Sequence, residues 1–159
     1  MVGNKRKKRS SRPRPKKFDE SKHRKIIDKL HNRMLGSELE KACDEIALDI
    51  LTNYEGFEWV EKGPDFRGTP FDFFGLKNGA PYIIELKASL KSFNAPGETQ
   101  KWRMQELLKR IEYLNIALLQ LKLSKAEYRI FYDEEMEILF KGTKAPLDPI
   151  EEWISERLG

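Results

Sequence analysis

Three residues near the middle of the chain, Asp72, Glu85 and Lys87, have the types and spacing to hold a hard cation with a positive charge beside it. Asn78-Gly79 separates two runs rich in aromatic and branched residues, Pro70 to Leu76 and Pro81 to Lys87. Such a pair of residues between two such runs predicts a two-residue β-hairpin. With that turn, Asp72 falls directly opposite Glu85, at a non-hydrogen-bonded position where Cα atoms approach to about 4.5 Å. Side chains alternate along a strand, so Lys87 shares the face of Glu85. Two facing carboxylates repel each other, and a divalent cation between them relieves this, because hard cations take carboxylate oxygens. The other reading is a solvated stripe on a half-exposed sheet. Phe74, Leu76 and Ile83 as neighbours on the same face argue against it, since charge among apolar groups needs a partner or a metal. Pro81 fits the hairpin, because its missing N–H falls at an unbonded position.

The surrounding pattern predicts an α/β domain that carries this hairpin. Ile26 to Leu35 reads as a short amphipathic helix, and Gly36 interrupts it. Ser37 then offers an N-cap, and Leu39, Cys43, Ile46, Ala47 and Ile50 form an apolar stripe at helical spacing that ends at Gly56. Phe57 to Val60 reads as a first strand, followed by a Gly-Pro-Asp-Phe-Arg-Gly loop. Phe73-Phe74 and Ile83-Ile84 present apolar side chains to both faces, as in a sheet covered on both sides. After a loop, Gln100 to Leu121 reads as one long helix with Leu107, Ile111, Leu114, Leu118 and Leu121 as its core face. Glu127 to Tyr132 and Met136 to Phe140 read as strands. Asp148, Pro149 and Glu151 start a last helix as cap, first-turn proline and capping-box acid. The expected order is α-β-β-β-α-β-β-α, with a central mixed sheet.

The 159 residues suit one domain behind a tail. Residues 1–25 hold 12 Lys/Arg and 2 Asp/Glu, whereas the remainder is net −6. This apolar-poor segment carries Pro13 and Pro15 and is expected to be disordered, leaving residues 26–159 as the folded domain. Lys5, Arg6, Lys7, Lys8 and Arg9 would make it an electrostatic arm for phosphate backbones; a solubilising extension is the plainer alternative. No apolar stretch of about 18 residues exists, so no membrane partner is expected. Cys43 stands alone, which excludes an intramolecular disulfide and makes cytoplasm the default compartment. His23 and His31 both precede the expected domain core, which disfavours histidine-based hydrolysis, and no phosphate-binding GxxxxGK[ST] loop occurs.

FDFFGLKNGAPYIIELK resembles the motif of the PD-(D/E)xK, restriction-endonuclease-like nucleases: an acidic strand, a hairpin, then Glu-x-Lys. The resemblance covers roughly residues 36–110, and GETQKW resembles the branch of Holliday-junction resolvases and virus-type replication-repair nucleases. It implies a restriction-endonuclease-like α-β-β-β-α-β core and a magnesium- or manganese-dependent endonuclease acting in repair or recombination. Asp72, Glu85 and the Leu86 carbonyl would bind Mg²⁺ or Mn²⁺, and Lys87 would orient water and stabilise charge on the pentavalent phosphate. The metal would polarise the phosphoryl oxygen and lower the pKa of a water, leaving 5′-phosphate and 3′-hydroxyl ends. Glu40 would be the helix glutamate, although Ser37 and Glu40 also make a capping box; Glu38 and Glu45 are weaker candidates. Asp65, which follows a proline, rivals Asp72, and Gln100 is preferred over Gln105 as the downstream glutamine.

Lys91, Lys101 and Arg103, with Lys109 and Arg110, would contact phosphates, and Trp102 could stack on a base, whereas Trp59 and Trp153 read as packing. The implied partner is nucleic acid, DNA before RNA, with a homodimer through Leu107 to Leu121 as an option. Two competing readings are a catalytically silent nucleic-acid-binding module on the same fold and a protein-interaction subunit with a basic tail.

Overall fold

The computed structural model describes residues 13–31, 36–63, 71–94, 101, 104, 111, 113–132 and 148–158. Its centre is a six-stranded mixed sheet: β1 (Lys16–Lys17), β2 (Trp59–Lys62), β3 (Phe73–Lys77), β4 (Ala80–Ser89), β5 (Asn115–Lys122) and β6 (Glu127–Tyr132). The spatial order is β1-β6-β5-β4-β3-β2. Among the described residues it is accompanied by the α-helices α1 (Arg24–His31), α2 (Gly36–Asp49) and α3 (Asp148–Leu158). Among the described residues no helix is long and apolar enough to cross a membrane.

The β3–β4 hairpin has the expected register, with Phe73 opposite Ile84, Phe74 opposite Ile83 and Leu76 opposite Pro81. Asn78 and Gly79 both take positive φ, 54° and 77°, the mirror-image turn whose twist matches the strands it joins. On the other side of β3, Gly75 lies so close to β2 that a Cβ there would stand 2.6 Å from the Trp59 carbonyl oxygen. The edge strand therefore docks because that position lacks a side chain.

Alternation along the strands sorts the core into two clusters. Phe73, Ile84, Ala117, Leu119, Leu121 and Ile130 pack with Cys43, Ile46, Ala47 and Ile50 of the α2 stripe. On the opposite face Phe74, Ile83, Ile116, Leu118 and Phe131 pack with Phe71, Met104 and Ile154 of α3. Trp153 packs against Phe71 and Phe74, as expected of it. Trp59 meets the Phe74 ring edge-on but stays 44% exposed on the edge strand.

Two expectations are corrected. Asn115 to Leu121 is not the end of a long helix but strand β5, parallel to β4 and antiparallel to β6. Buried on both faces, this run is apolar without alternation, and such a run carries the same signal as a buried helix. Leu114, Leu118 and Leu121 are consequently buried and offer no dimer face; Leu107 and strand 136–140 lie outside the described residues. Ordered structure also begins before Ile26. Lys16 and Lys17 pair with Tyr128 and Glu127 of β6, and Phe18 is buried. His23, also buried, bonds Asp49 through Nε2 at 2.9 Å. One buried phenylalanine and one backbone pairing anchor a segment whose composition alone reads as tail; residues 1–12 lie outside the described residues.

Between α2 and β2 a single wide π-turn spans Ile50–Tyr54 and leads to Glu55, whose side chain is 5% exposed. Its carboxylate accepts hydrogen bonds from the Tyr128 hydroxyl at 2.6 Å, the Tyr132 hydroxyl at 2.8 Å and Lys16 Nζ at 3.2 Å. Lys77 Nζ stands 3.8 Å away and donates to the Tyr132 hydroxyl at 2.8 Å. Burial pushes this carboxyl upward, but the donated hydrogen bonds outweigh it and hold Glu55 below the usual range.

Candidate active site

β4 is an interior strand, paired with β3 as far as Ile84 and with β5 from Tyr82 to Ser89. Glu85 sits there on the face of Ile83 and next to Leu118 of β5, and only 2% of it is exposed. Asp72 reaches it from the residue before β3. The ladder's last regular pair is Phe73 with Ile84; Asp72 N–H then donates to the Ile84 carbonyl at 2.7 Å. The chain thus steps off the ladder one residue before the expected Asp72–Glu85 pairing. Its carboxylate replaces the missing backbone acceptor, with Asp72 Oδ2 accepting from Leu86 N–H at 2.7 Å. The Asp72 carboxylate neighbours the Glu85 carboxyl closely enough to raise it, and Lys87 Nζ lies 3.4 Å from Glu85 Oε2.

Burial pushes the Glu85 carboxyl well above the usual range, and the neighbouring Asp72 charge adds to this; Lys87 opposes both. Losing the proton therefore leaves an anion deep in the sheet beside a second anion, with half-exposed Lys87 opposing the repulsion. A divalent cation held by Asp72 and Glu85 would relieve the desolvation and the repulsion together, so these residues fit such a group. In a strand the N–H and C=O of one residue project to the same side. The Leu86 carbonyl therefore faces the gap from which the Asp72 carboxylate approaches. Among the described residues no group of three His, Cys, Asp or Glu side chains is gathered, which leaves two carboxylates and that carbonyl as the described donor set.

The other expected site residues are placed as follows. Glu40 belongs to α2, whose described apolar side chains pack on the sheet face opposite Glu85; its own side chain and that of Glu38 lie outside the described residues, and Glu45 is exposed. Asp65, Gln100, Arg103, Gln105 and Lys5 to Arg9 lie outside the described residues. Lys91 is exposed just beyond β4, and Lys101 is helical and half-buried.

A residue not singled out from the sequence borders the site. Gln120 of β5 is fully buried and stands opposite Lys87 in the ladder. It accepts from Arg129 Nε at 2.7 Å and donates to the Asn94 carbonyl at 2.7 Å. A lone glutamine inside an apolar run was the available signal, and it is invisible when that run is taken as a helix.

No protein-family model matches the chain, and no curated protein matches it in sequence.

Proposed function

We propose that this chain is a divalent-metal-dependent nuclease with a restriction-endonuclease-like arrangement, hydrolysing phosphodiester bonds of nucleic acid, DNA before RNA. The observation that carries the reading is Glu85, a buried interior-strand carboxyl with the Asp72 carboxylate as a neighbour and Lys87 two residues on. The general architecture is compatible, since a hairpin carrying the acids is followed by a strand parallel to β4 in a mixed sheet with packing on both faces.

Asp72, Glu85 and the Leu86 carbonyl are the groups that would hold the cation, which supplies Lewis acidity at the phosphoryl group. Asp72 is positioned by its bond to Leu86 N–H, so the two carboxyls are ordered before substrate arrives. Lys87 is half-exposed and can turn from Glu85 toward the substrate. There its ammonium group faces the charge that builds on the phosphate oxygens as water adds to phosphorus and the bond to the 3′ oxygen breaks. The products are a 5′-phosphate and a 3′-hydroxyl.

One observation favours a catalytically silent nucleic-acid-binding module instead: Lys87 already pairs with Glu85. Cleavage of linear, single-stranded and four-way-junction DNA by wild type, Lys87→Ala and Asp72→Ala in Mg²⁺, Mn²⁺ and EDTA separates the two, with binding measured in Ca²⁺. The nuclease reading expects metal-dependent cleavage that Lys87→Ala lowers by about a thousandfold or more while binding changes little. Binding without cleavage by wild type on every substrate is the result for the silent module.

A further inference from the structure

The sheet ends in two edges of different character. At one, Phe18 N–H donates to the Ala126 carbonyl at 3.0 Å, in the register that pairs Lys16 with Tyr128. The backbone groups of Lys16 and Phe18 therefore face β6, and the outward positions fall to Lys17 and to Pro15, just before β1. Pro15 has no N–H to offer. Proline and lysine at an edge discourage a further strand.

At the other edge, Gly63 N–H donates to the Asp72 carbonyl at 2.7 Å, one step along the register that pairs Lys62 with Phe73. Backbone groups alternate sides along an antiparallel strand. Trp59, Glu61 and Gly63 thus face β3, and the N–H and C=O of Val60 and Lys62 face outward. Among the described residues no strand pairs with these four groups. β2 contains no proline. Lys62 does not guard the edge either: its Nζ lies 2.9 Å from Asp44 Oδ2 and 5.0 Å from the Phe73 ring centroid, drawn back over the sheet. The exposed indole of Trp59 stands on the same strand.

This edge is complementary to itself. Two copies of β2, set antiparallel around a two-fold axis at Glu61, put Val60 of each copy opposite Lys62 of the other. Every outward N–H and C=O of both strands then has a partner. Centring the axis on Val60 would instead set Lys62 against Glu58, whose N–H already donates to the Leu76 carbonyl at 2.8 Å. With the axis at Glu61, Trp59 falls opposite Gly63 of the other copy, which presents no side chain against the indole. The two Glu61 carboxylates meet at the axis, and each brings its own cation. Arg157 Nε lies 3.3 Å from Glu61 Oε2, and its guanidinium is held 3.6 Å from the Trp153 ring centroid. Carboxylates and guanidiniums are equal in number there, which offsets the like-charge contact.

We infer that β2 is a self-association edge, through which two copies of this chain join as antiparallel strands around Glu61 into one continuous sheet. Opposed residues of such a pair project to the same face, so the Glu85 faces of both copies lie on one side of the joined sheet. The contact is isologous and closed, the commonest form of oligomer. It is independent of the nuclease reading.

The test uses the full chain without metal or nucleic acid. Sedimentation from about 1 to 500 µM measures the dimer constant, and thermal melts confirm that each variant is folded. Val60→Pro removes an outward N–H and leaves the donors to β3 in place. By symmetry it deletes a hydrogen bond from each copy, and it weakens the dimer about tenfold or more. Glu61→Cys reads the register and does not depend on how Val60→Pro folds. Partners at a non-hydrogen-bonded position have Cα atoms about 4.5 Å apart, within disulfide reach. Mild oxidation of Glu61→Cys therefore gives a linked dimer, and Trp59→Cys gives none; the native Cys43 is buried. Wild type that stays monomeric throughout, with no link in Glu61→Cys, overturns the proposal and leaves the edge to a strand of another protein. A dimer unchanged in folded Val60→Pro, or one linked by Trp59→Cys and not by Glu61→Cys, also overturns it.

Discussion

Two glutamates of this protein are buried to nearly the same degree and titrate in opposite directions. Glu55 is 8% exposed and Glu85 is 2% exposed, yet Glu55 is held below the usual carboxyl range and Glu85 well above it. Desolvation raises both. The partners decide: Glu55 faces two tyrosine hydroxyls and two lysines, and Glu85 faces a carboxyl and one lysine. One is a satisfied tie between β1, β3, β6 and the end of α2. The other is a buried group beside a second carboxylate, at the place where two strands part. Burial of a carboxylate thus says little about role until its donors are counted.

The sharpest way to break this comparison is Glu55→Gln. It leaves two tyrosine hydroxyls and the nearby lysines without their anion, and should cost about 3–5 kcal/mol of stability. Urea unfolding measures this; a loss under about 1 kcal/mol would reduce the Glu55 network to a surface ornament. Since the folded carboxyl of Glu55 is lowered, its contribution is full above the ordinary value of 4.5 and fades as pH falls through the folded value.

Glu85→Gln should act in the opposite sense and more weakly, stabilising the metal-free protein by about 1–2 kcal/mol at high pH. The folded carboxyl of Glu85 is raised, so wild type has its full contribution below 4.5 and loses it as pH rises through the folded value. The advantage of the variant should therefore be absent near the ordinary value and grow upward. Denaturation in EDTA across a pH series reads this directly. Added Mg²⁺ or Ca²⁺ should stabilise wild type increasingly with pH and leave Glu85→Gln unmoved. An advantage that shrinks with rising pH would reverse the contrast between the two glutamates.

The smallest expected effect on stability comes from removing residues 1–12, which leaves Lys16 and Phe18 in place. Melting should be unchanged, and the salt dependence of nucleic-acid binding should flatten. An unaltered salt slope would assign the six Lys/Arg of that segment to solubility.

Local sequence determined the hairpin. Asn78-Gly79 sets a turn that only positive φ can close, and the turn fixes every pairing from Lys77–Ala80 to Phe73–Ile84. Because side chains alternate, the shared face of Glu85 and Lys87 follows from counting residues, whereas Asp72 leaves the ladder and reaches the site through its bond from Leu86 N–H. The α2 stripe and the start of α3 are legible for the same reason: caps and periodicity act over a few residues.

What only the tertiary structure decided involves partners distant in the chain. Asn115 to Lys122 becomes a strand because β4 and β6 flank it and both sheet faces are covered. Nothing within that run distinguishes the outcome from a helix. Lys16 and Phe18 join the fold through β6 and the core, more than a hundred residues on. The partner sets that separate Glu55 from Glu85 are likewise assembled across strands. A carboxylate's environment is a sum over neighbours in space, and residue spacing along the chain carries that sum only where a tight turn makes the two the same.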